Sequence, residues 1–292
     1  MEVSIIIVNY NTCNLTLQCL SSVFEQTKNV CFEVIVVDNA SSDNSVISIR
    51  ERFPSVKIIE SSVNLGFGKA NNLGGNYSNG KYLFLLNSDT ILVNNIVSQF
   101  YNFMESNLSI AACGASLVNS NNELLISHGK FPSLFQEFSD IGFKKYYPNY
   151  YRQKLALGQT SIEGTPDKVD YISGADIFIR RDIFNSLNGF DKDYFMYYEE
   201  TDLFYRMRKK GLKSCLLPQY SLIHLEGGSF INNSINVRRL KMLLTSKILF
   251  YRKNYSCFSL QLVKLISVLN ILRHFRYFKE FKLELIKLIL NS

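Results

Sequence analysis

Short apolar runs recur through the first ninety residues, separated by polar stretches whose apolar positions return every three or four residues. Residues 3–8 read as a core strand, and residues 12–26, with Leu17, Leu20 and Phe24 on one face, as a helix. A second strand at 32–37 ends at Asp38, and a helix over 45–53 leads to a third apolar segment at 56–59. Residues 81–86 form another buried run, ending at Asn87-Ser88-Asp89. Unbroken Val/Ile/Leu runs alternating with helical segments predict βαβ units, hence an α/β fold with a largely parallel sheet flanked by helices. Ligands of such sheets bind at the carboxyl ends of the strands, where Asp38 and Asp89 both fall.

Residues 116–169 are weakly periodic and rich in Asn, Tyr, Lys and Gly, and read as loops and edge elements around a cleft. Regularity returns over 171–180. A helix is expected over 204–210, closed by Gly211 at its C-terminal cap, with strands at 216–218 and 221–224. After about residue 235, Arg and Lys interleave with Leu, Ile, Phe and Tyr at helical spacing, without glycine or proline. The most apolar stretch, 258–275, is interrupted by Gln261, Lys264, Asn270, Arg273 and His274. A membrane-crossing helix needs about twenty predominantly apolar residues, so none is expected there. The pattern fits a pair of amphipathic helices lying in a membrane interface, cations toward anionic headgroups. A helical hairpin packed on the rest of the chain, or in a homodimer, is the alternative. The expected division is therefore residues 1–234 as one domain, with halves 1–115 and 116–234, and residues 235–292 as an amphipathic tail.

Charge sharpens that division. The formal charge is +7 over 292 residues, but from residue 236 onward twelve Lys or Arg face only Glu280 and Glu284, a net of +10. The remainder then carries −3, so a partner attracted by charge is expected at the C-terminal end. Large aliphatic side chains among the cations do not make a base-stacking platform, which argues against nucleic acid. Six cysteines without a CxxC pair point to small buried hydrophobes in a reducing compartment, not to disulfides or zinc. With no signal-like segment visible at the start, a cytosolic chain is expected.

Three constellations carry candidate chemistry. Asp89 closes a strand in a turn, where a carboxylate serves either as a helix cap or as a ligand for a hard cation bridging phosphates. Glu199, Glu200 and Asp202 cluster behind the aromatics Phe195, Tyr197 and Tyr198. Paired acids near apolar rings raise one another's proton affinity, as a general base requires, although acids also favour a solvated helix N-terminus. His224 ends a strand before the glycine pair Gly227-Gly228, where its imidazole is either hydrogen-bonded structure or a ligand facing the cleft.

Taken in order, the segments 4–11, 36–43, 64–72 and 86–89 resemble the family 2 glycosyltransferases of GT-A fold, particularly the rhamnosyltransferase-like branch. So do Ser173-Gly174-Ala175, Gly189-Phe190-Asp191, the run 199–203 and His224. The resemblance implies an inverting, metal-dependent glycosyltransferase. It implies that Asn9 and Tyr10 contact the nucleobase and ribose. Asp38 is implied to accept the pyrimidine N3–H, which selects uracil or thymine over cytosine. Asn64, Gly66 and Asn71 would line the diphosphate-sugar site beside Asn87 and Ser88, with Gly174 and Ala175 as its floor. Asp89 and His224 would hold Mg²⁺ or Mn²⁺, and Glu200 falls on the base position, with Glu199 as the alternative. Two departures stand out: Asn87 opens the metal motif where the family has an acid, and the base motif is Glu-Glu. The donor implied is dTDP-L-rhamnose, with UDP-sugars next. The acceptor implied is an undecaprenyl diphosphate-linked saccharide of O-antigen or capsule synthesis, used by an enzyme peripheral on the inner face of the cell membrane. A non-catalytic nucleotide-sugar-binding module and a nucleotidyltransferase are the competing classes. The first is disfavoured by the joint presence of Asp89, Glu200 and His224. The second would need a Gly-rich basic loop that Asn9-Tyr10-Asn11-Thr12 does not supply.

Overall fold

A computed structural model describes residues 1–150, 165–225, 237–273 and 281–292. Gly227-Gly228, His274 and part of the expected cleft loops lie outside the described residues.

The chain opens with β1 (Val3–Asn9), α1 (Cys13–Gln26), β2 (Phe32–Asp38), α2 (Ser45–Arg52), β3 (Lys57–Glu60), α3 (Phe67–Asn76) and β4 (Tyr82–Asn87). It continues through β5 (Thr90–Leu92), α4 (Ile96–Ser106), β6 (Ile110–Val118), β7 (His128–Gly129) and α5 (Leu134–Asp140). A 3-10 turn (Phe143–Tyr146) and the single turn α6 (Pro148–Tyr150) follow. Then come β8 (Asp167–Val169), β9 (Tyr171–Ile172), β10 (Asp176–Arg180), α7 (Arg181–Ser186), α8 (Glu199–Lys209) and β11 (Lys213–His224). The tail comprises α9 (Val237–Asn254), α10 (Cys257–Arg273) and α11 (Lys282–Asn291).

Among the described residues the main sheet has the order β3-β2-β1-β4-β10-β6-β11-β5, with β8 also on β11. β3, β2, β1 and β4 are parallel, and β6 and β11 are parallel to each other. β10 runs antiparallel between β4 and β6, while β5 and β8 lie antiparallel on β11. The sheet is thus mostly parallel, as its apolar runs predict. Successive side chains of β1 point to opposite faces. Ile5 and Ile7 pack under α1, α2 and α4, and Ile6 packs against α3 and α8.

Two expectations need correction. The region read as loops contains most of β6's last residues, β7, α5 and β8. β6 is buried at every position, but its middle, Ala111 to Ser116, is a run of small residues with weak strand preference, not a Val/Ile/Leu run. The helix expected at 204 starts at Glu199, so the acids occupy its first turn, where they complement the helix dipole. Gly211 does adopt the left-handed backbone of a helix terminus, φ +74°. The strands expected at 216–218 and 221–224 are one strand with a register shift between Leu217 and Ser221.

The tail packs on the body. Leu244, Ile248, Phe250 and Tyr251 of α9 are buried with Tyr194 and against Tyr198 and Tyr205, and with α10 and α11 they form a third apolar cluster. Polar ties reinforce it: Lys247 pairs with the buried Glu137 at 2.7 Å, and Lys253 bridges Asp191 and Asp193 at 2.6 Å each. The hairpin alternative therefore describes how α9 sits. No described helix is long and apolar enough to cross a membrane.

Candidate active site

The chain runs from β1 to β2 and β3 on one side of β1, then crosses to β4 on the other. Loops leaving β1 and β4 at their carboxyl ends consequently diverge and leave a crevice. A cavity of about 320 Å³ occupies it, lined by Tyr10 after β1, Asn39 after β2, Asn64 and Gly66 before α3, Phe67 at its start, Asn87 at the end of β4, and Ser88 and Asp89 after it. Phe195 and Met196 close one side, and Arg238 and Met242 of α9 another. That volume lies in the range of small-molecule sites, roughly 300–1,000 Å³.

Side-chain amides fix the loops. Asn9 is fully buried: its Nδ2 donates to Asp38 Oδ1 at 2.8 Å and Ser41 Oγ at 3.0 Å, and its Oδ1 accepts from Thr12 and Thr16. With every amide valence used inside, Asn9 orients Asp38, while Val8 of β1 and Tyr10 just after it line the cavity. Asp38, itself buried, also accepts from Ser41 N at 3.0 Å. Each carboxylate oxygen has a second lone pair, so further acceptor capacity remains. Asn39 and Asn64 clip the next loop: Asn39 Nδ2 donates to Asn64 Oδ1 at 3.0 Å, Asn39 Oδ1 accepts from Leu65 N, and Asn64 Oδ1 accepts from Gly66 N. Gly66, at φ +80°, lies so close to the 195–196 segment that a Cβ there would stand 2.1 Å from the Phe195 carbonyl oxygen. The same carbonyl accepts from Phe67 N at 3.1 Å.

Other expected residues sit behind this wall. Asn71 is buried, and its Nδ2 donates to the Phe67 carbonyl. Gly174 backs the Phe67 ring, since a Cβ would meet it at 3.6 Å. Buried Ala175 receives Asn87 N on its carbonyl at 3.0 Å. These positions shape the cavity without lining it.

Asp89 and His224 meet across the β5–β11 pairing, which sets His224 opposite Thr90. Their side chains approach to 3.2 Å between Oδ1 and Nε2, and Leu225 N donates to the Asp89 carbonyl at 2.9 Å. One carboxylate and one imidazole nitrogen at the cavity edge fit a divalent cation that takes its other ligands from diphosphate and water. Among the described residues no cluster of three His, Cys, Asp or Glu is found.

The acidic turn is built under strain. Tyr197 and Tyr198 both take left-handed backbone, φ +70° and +67°, a conformation costly for aromatic residues and concentrated at functional sites. Beyond them the three acids have separate environments. Asp202 is buried and neutralised, pairing with Arg206 at 2.6 Å and accepting from Asn254 of α9 at 3.3 Å. Glu199 is buried with Oε2 unpartnered; burial, then the adjacent Glu200, pushes its pKa well up. Glu200 keeps partial exposure, and burial raises it to about 6, opposed by the helix-terminal N–H groups of Glu200 and Thr201. Of the two, Glu199 is the one pushed further toward its neutral form.

Sequence reasoning missed Arg238 and Met242, because the basic pattern of the tail reads as an outward face. It also passed over Asn39, whose role is to pin the loop before α3.

The profile of glycosyl transferase family 2 matches residues 4–185. An N-acetylglucosaminyl-diphospho-decaprenol L-rhamnosyltransferase of Mycobacterium tuberculosis is 24% identical over 202 residues, 65% of this chain and 66% of that protein. Rhamnosyltransferase WbbL of Escherichia coli K12 is 26% identical over 206 residues, 66% of this chain and 72% of the other. Among solved structures, mannosyltransferase PcManGT from Pyrobaculum calidifontis, in complex with GDP-Man and Mn²⁺, superposes with a TM-score of 0.60 at 14% identity. The overlap covers 99% of this chain and 73% of that one, and the shared fold is GT-A.

Proposed function

Since the chain belongs to glycosyl transferase family 2, we propose that it is a metal-dependent, inverting hexosyltransferase, moving L-rhamnose from dTDP-L-rhamnose to a lipid-linked saccharide in bacterial surface polysaccharide synthesis. The activities of the mycobacterial and E. coli relatives support the sugar, and that of the mycobacterial one supports the acceptor class. UDP-hexoses are the next donors in order. An undecaprenyl diphosphate-linked saccharide on the cytoplasmic face of the membrane is the acceptor.

One observation carries the reading: Asp89 lines the cavity at the carboxyl ends of β1 and β4, with His224 Nε2 3.2 Å from its Oδ1. In this account Tyr10 packs against the nucleoside, and Asp38, aimed by Asn9, accepts the pyrimidine N3–H. Asn64, Gly66 and Ser88 border the diphosphate-sugar, and the Arg238 guanidinium faces its negative charge. Asp89 and His224 would hold Mg²⁺ or Mn²⁺, which would supply positive charge to offset that on the departing diphosphate. Mn²⁺ in the complex of the Pyrobaculum mannosyltransferase supports that choice. Glu200 takes the acceptor hydroxyl proton while that oxygen bonds to the anomeric carbon. The bond from that carbon to the diphosphate breaks on the opposite face, and the nucleoside diphosphate leaves with the electron pair. Attack opposite the leaving group gives inversion. Residues 1–115 serve the donor and 116–234 the acceptor and base, while the tail from 235 adds Arg238 to the donor side.

Calorimetric titration with dTDP, UDP and CDP, with and without Mn²⁺, tests this reading. Mn²⁺-dependent binding of dTDP or UDP, with CDP weaker, is expected. Equal binding of CDP would remove Asp38 from base recognition, and absence of nucleotide binding would overturn the proposal.

A further inference from the structure

Helix α10 is apolar on two opposite sides. Leu260, Val263, Ile266 and Ile271 are buried, the first, second and fourth in the cluster shared with α9 and α11. Phe258, Leu265, Leu269 and Leu272 are exposed, Phe258 by 74%. At 100° per residue these four fall within about 60° of one another, opposite the buried set. Helix α11 repeats the arrangement: Leu285 and Ile289 are buried, while Leu283 and Leu290, one heptad apart, are exposed by 74% and 62%. A solvated surface helix needs one apolar stripe, so the second on each helix has no partner among the described residues.

Beside it lies a second exposed group outside the tail. Arg273, at the end of α10, donates from Nη1 to the Ile141 carbonyl, which ties that helix to the 3-10 turn Phe143–Tyr146. There Phe143 and Tyr146 are exposed, Tyr146 by 71%, with the Lys145 ammonium 5.0 Å from the Tyr146 ring centre. Exposed aromatics interleaved with lysines are what an interfacial anchor presents at headgroup level.

We propose that α10, α11 and the 143–146 turn form one face that docks on an anionic lipid bilayer. Charge selects the occupant. Within these three elements Lys144, Lys145, Lys264, Arg273, Lys282 and Lys287 stand against Glu284, a net of +5, which complements an anionic leaflet. A second copy placed symmetrically on the same face would set +5 against +5. With no described helix able to cross a bilayer, the helices lie in the interface. Helix α9 links this face to the site: it packs α10 and α11 in the apolar cluster, Ser246 Oγ donates to the Met196 carbonyl at 2.8 Å, and Arg238 lines the cavity. Docking therefore holds the cavity beside the leaflet that carries a lipid-linked acceptor; this last step rests on the proposed function.

The test is flotation of the full chain with vesicles of phosphatidylcholine alone and of equal parts phosphatidylcholine and phosphatidylglycerol. Binding is expected to the anionic vesicles, at least roughly tenfold tighter than to neutral ones, and to fall as salt is raised. The doubly substituted Phe258→Ser/Leu265→Ser chain should bind roughly tenfold or more weakly, from lost apolar insertion. Lys145→Ser/Tyr146→Ser should lose about fivefold or more. These positions are exposed, and dTDP or UDP affinity measured on the same samples reports that the fold is intact. Equal binding to both vesicles, no binding, or wild-type binding by both variants overturns the proposal. So does a dimer, formed without lipid, that the Phe258→Ser/Leu265→Ser change dissociates. Failed flotation with intact nucleotide binding sinks this inference alone; flotation without nucleotide binding sinks the functional reading alone.

Discussion

Replacing Gly66 by Ala separates two costs that the structure makes unequal at two glycines. At Gly66, φ +80° and ψ 175° lie in a region open essentially to glycine, and any other residue pays roughly 1–3 kcal/mol there. The new Cβ would also stand 2.1 Å from the Phe195 carbonyl oxygen and 2.9 Å from its carbon, both backbone atoms that no rotamer change can move. Relief requires separating the loop before α3 from the 195–196 segment, which breaks the Phe67 N to Phe195 O bond, worth about 1 kcal/mol. The sum is roughly 2–4 kcal/mol, with Asn64 and Phe67 drawn out of the cavity wall. Gly211 is the control: its φ is +74°, but nothing lies within 4 Å of an added Cβ. Gly211→Ala should therefore cost only the left-handed penalty, about 1 kcal/mol. Urea denaturation of both variants measures the difference, and dTDP or UDP titration measures its reach. Gly66→Ala should lower stability by the larger amount and weaken nucleotide binding; Gly211→Ala should leave binding unchanged. Equal stability losses, or wild-type nucleotide affinity in Gly66→Ala, would refute the claim that this contact sets the donor loop.

Further outcomes follow from the acids and the cavity edge. Glu200→Gln should retain nucleotide affinity while turnover falls by about 10²–10⁴-fold, a range typical of a general base; wild-type turnover would transfer the role elsewhere. Because burial raises Glu200 to about 6, it is protonated and inactive below that pH. Turnover should thus rise with pH through about 6, and a flat profile across that range contradicts the assignment. The same sign applies to stability: ionising a carboxyl held above its ordinary range costs folding energy, so Glu200→Gln should gain stability relative to wild type as pH rises from about 4.5 to about 6 and keep that gain above it, read by thermal melting. Asp89→Asn and His224→Ala should each weaken Mn²⁺ binding in the presence of nucleotide at least tenfold, followed by electron paramagnetic resonance; unaltered Mn²⁺ affinity in both would remove the metal from this edge. Arg238→Ala should weaken dTDP or UDP binding more than thymidine or uridine binding, because the guanidinium faces the diphosphate; equal losses would place it on the nucleoside instead.

Much of the donor half was legible because each of its strands is a solid apolar run that ends in a polar residue. Asp38 and Asp89 could be set at strand ends from that pattern alone. What the pattern could not show is the direction of side chains at those ends. Asn9 and Tyr10 are neighbours in sequence, yet one is sealed inside by four hydrogen bonds and the other faces the cavity. β6 was invisible for the opposite reason, as its middle, Ala111 to Ser116, is made of small residues in place of Val, Ile and Leu. The tail was read from its charges, which face outward, whereas its attachment depends on tyrosines shared with α8 and on Lys247 reaching a buried Glu137. Local spacing carries no information about such long-range partners, and so Arg238 was assigned to a surface when it belongs to the cavity.

The most direct measurement is release of nucleoside diphosphate from a panel of dTDP- and UDP-sugars, using a bacterial membrane extract as the acceptor source, with Mn²⁺ or Mg²⁺ and with EDTA. The account predicts release from dTDP-L-rhamnose that requires both the extract and the metal and that disappears in Glu200→Gln. Release that persists in EDTA, or that Glu200→Gln leaves untouched, would contradict it.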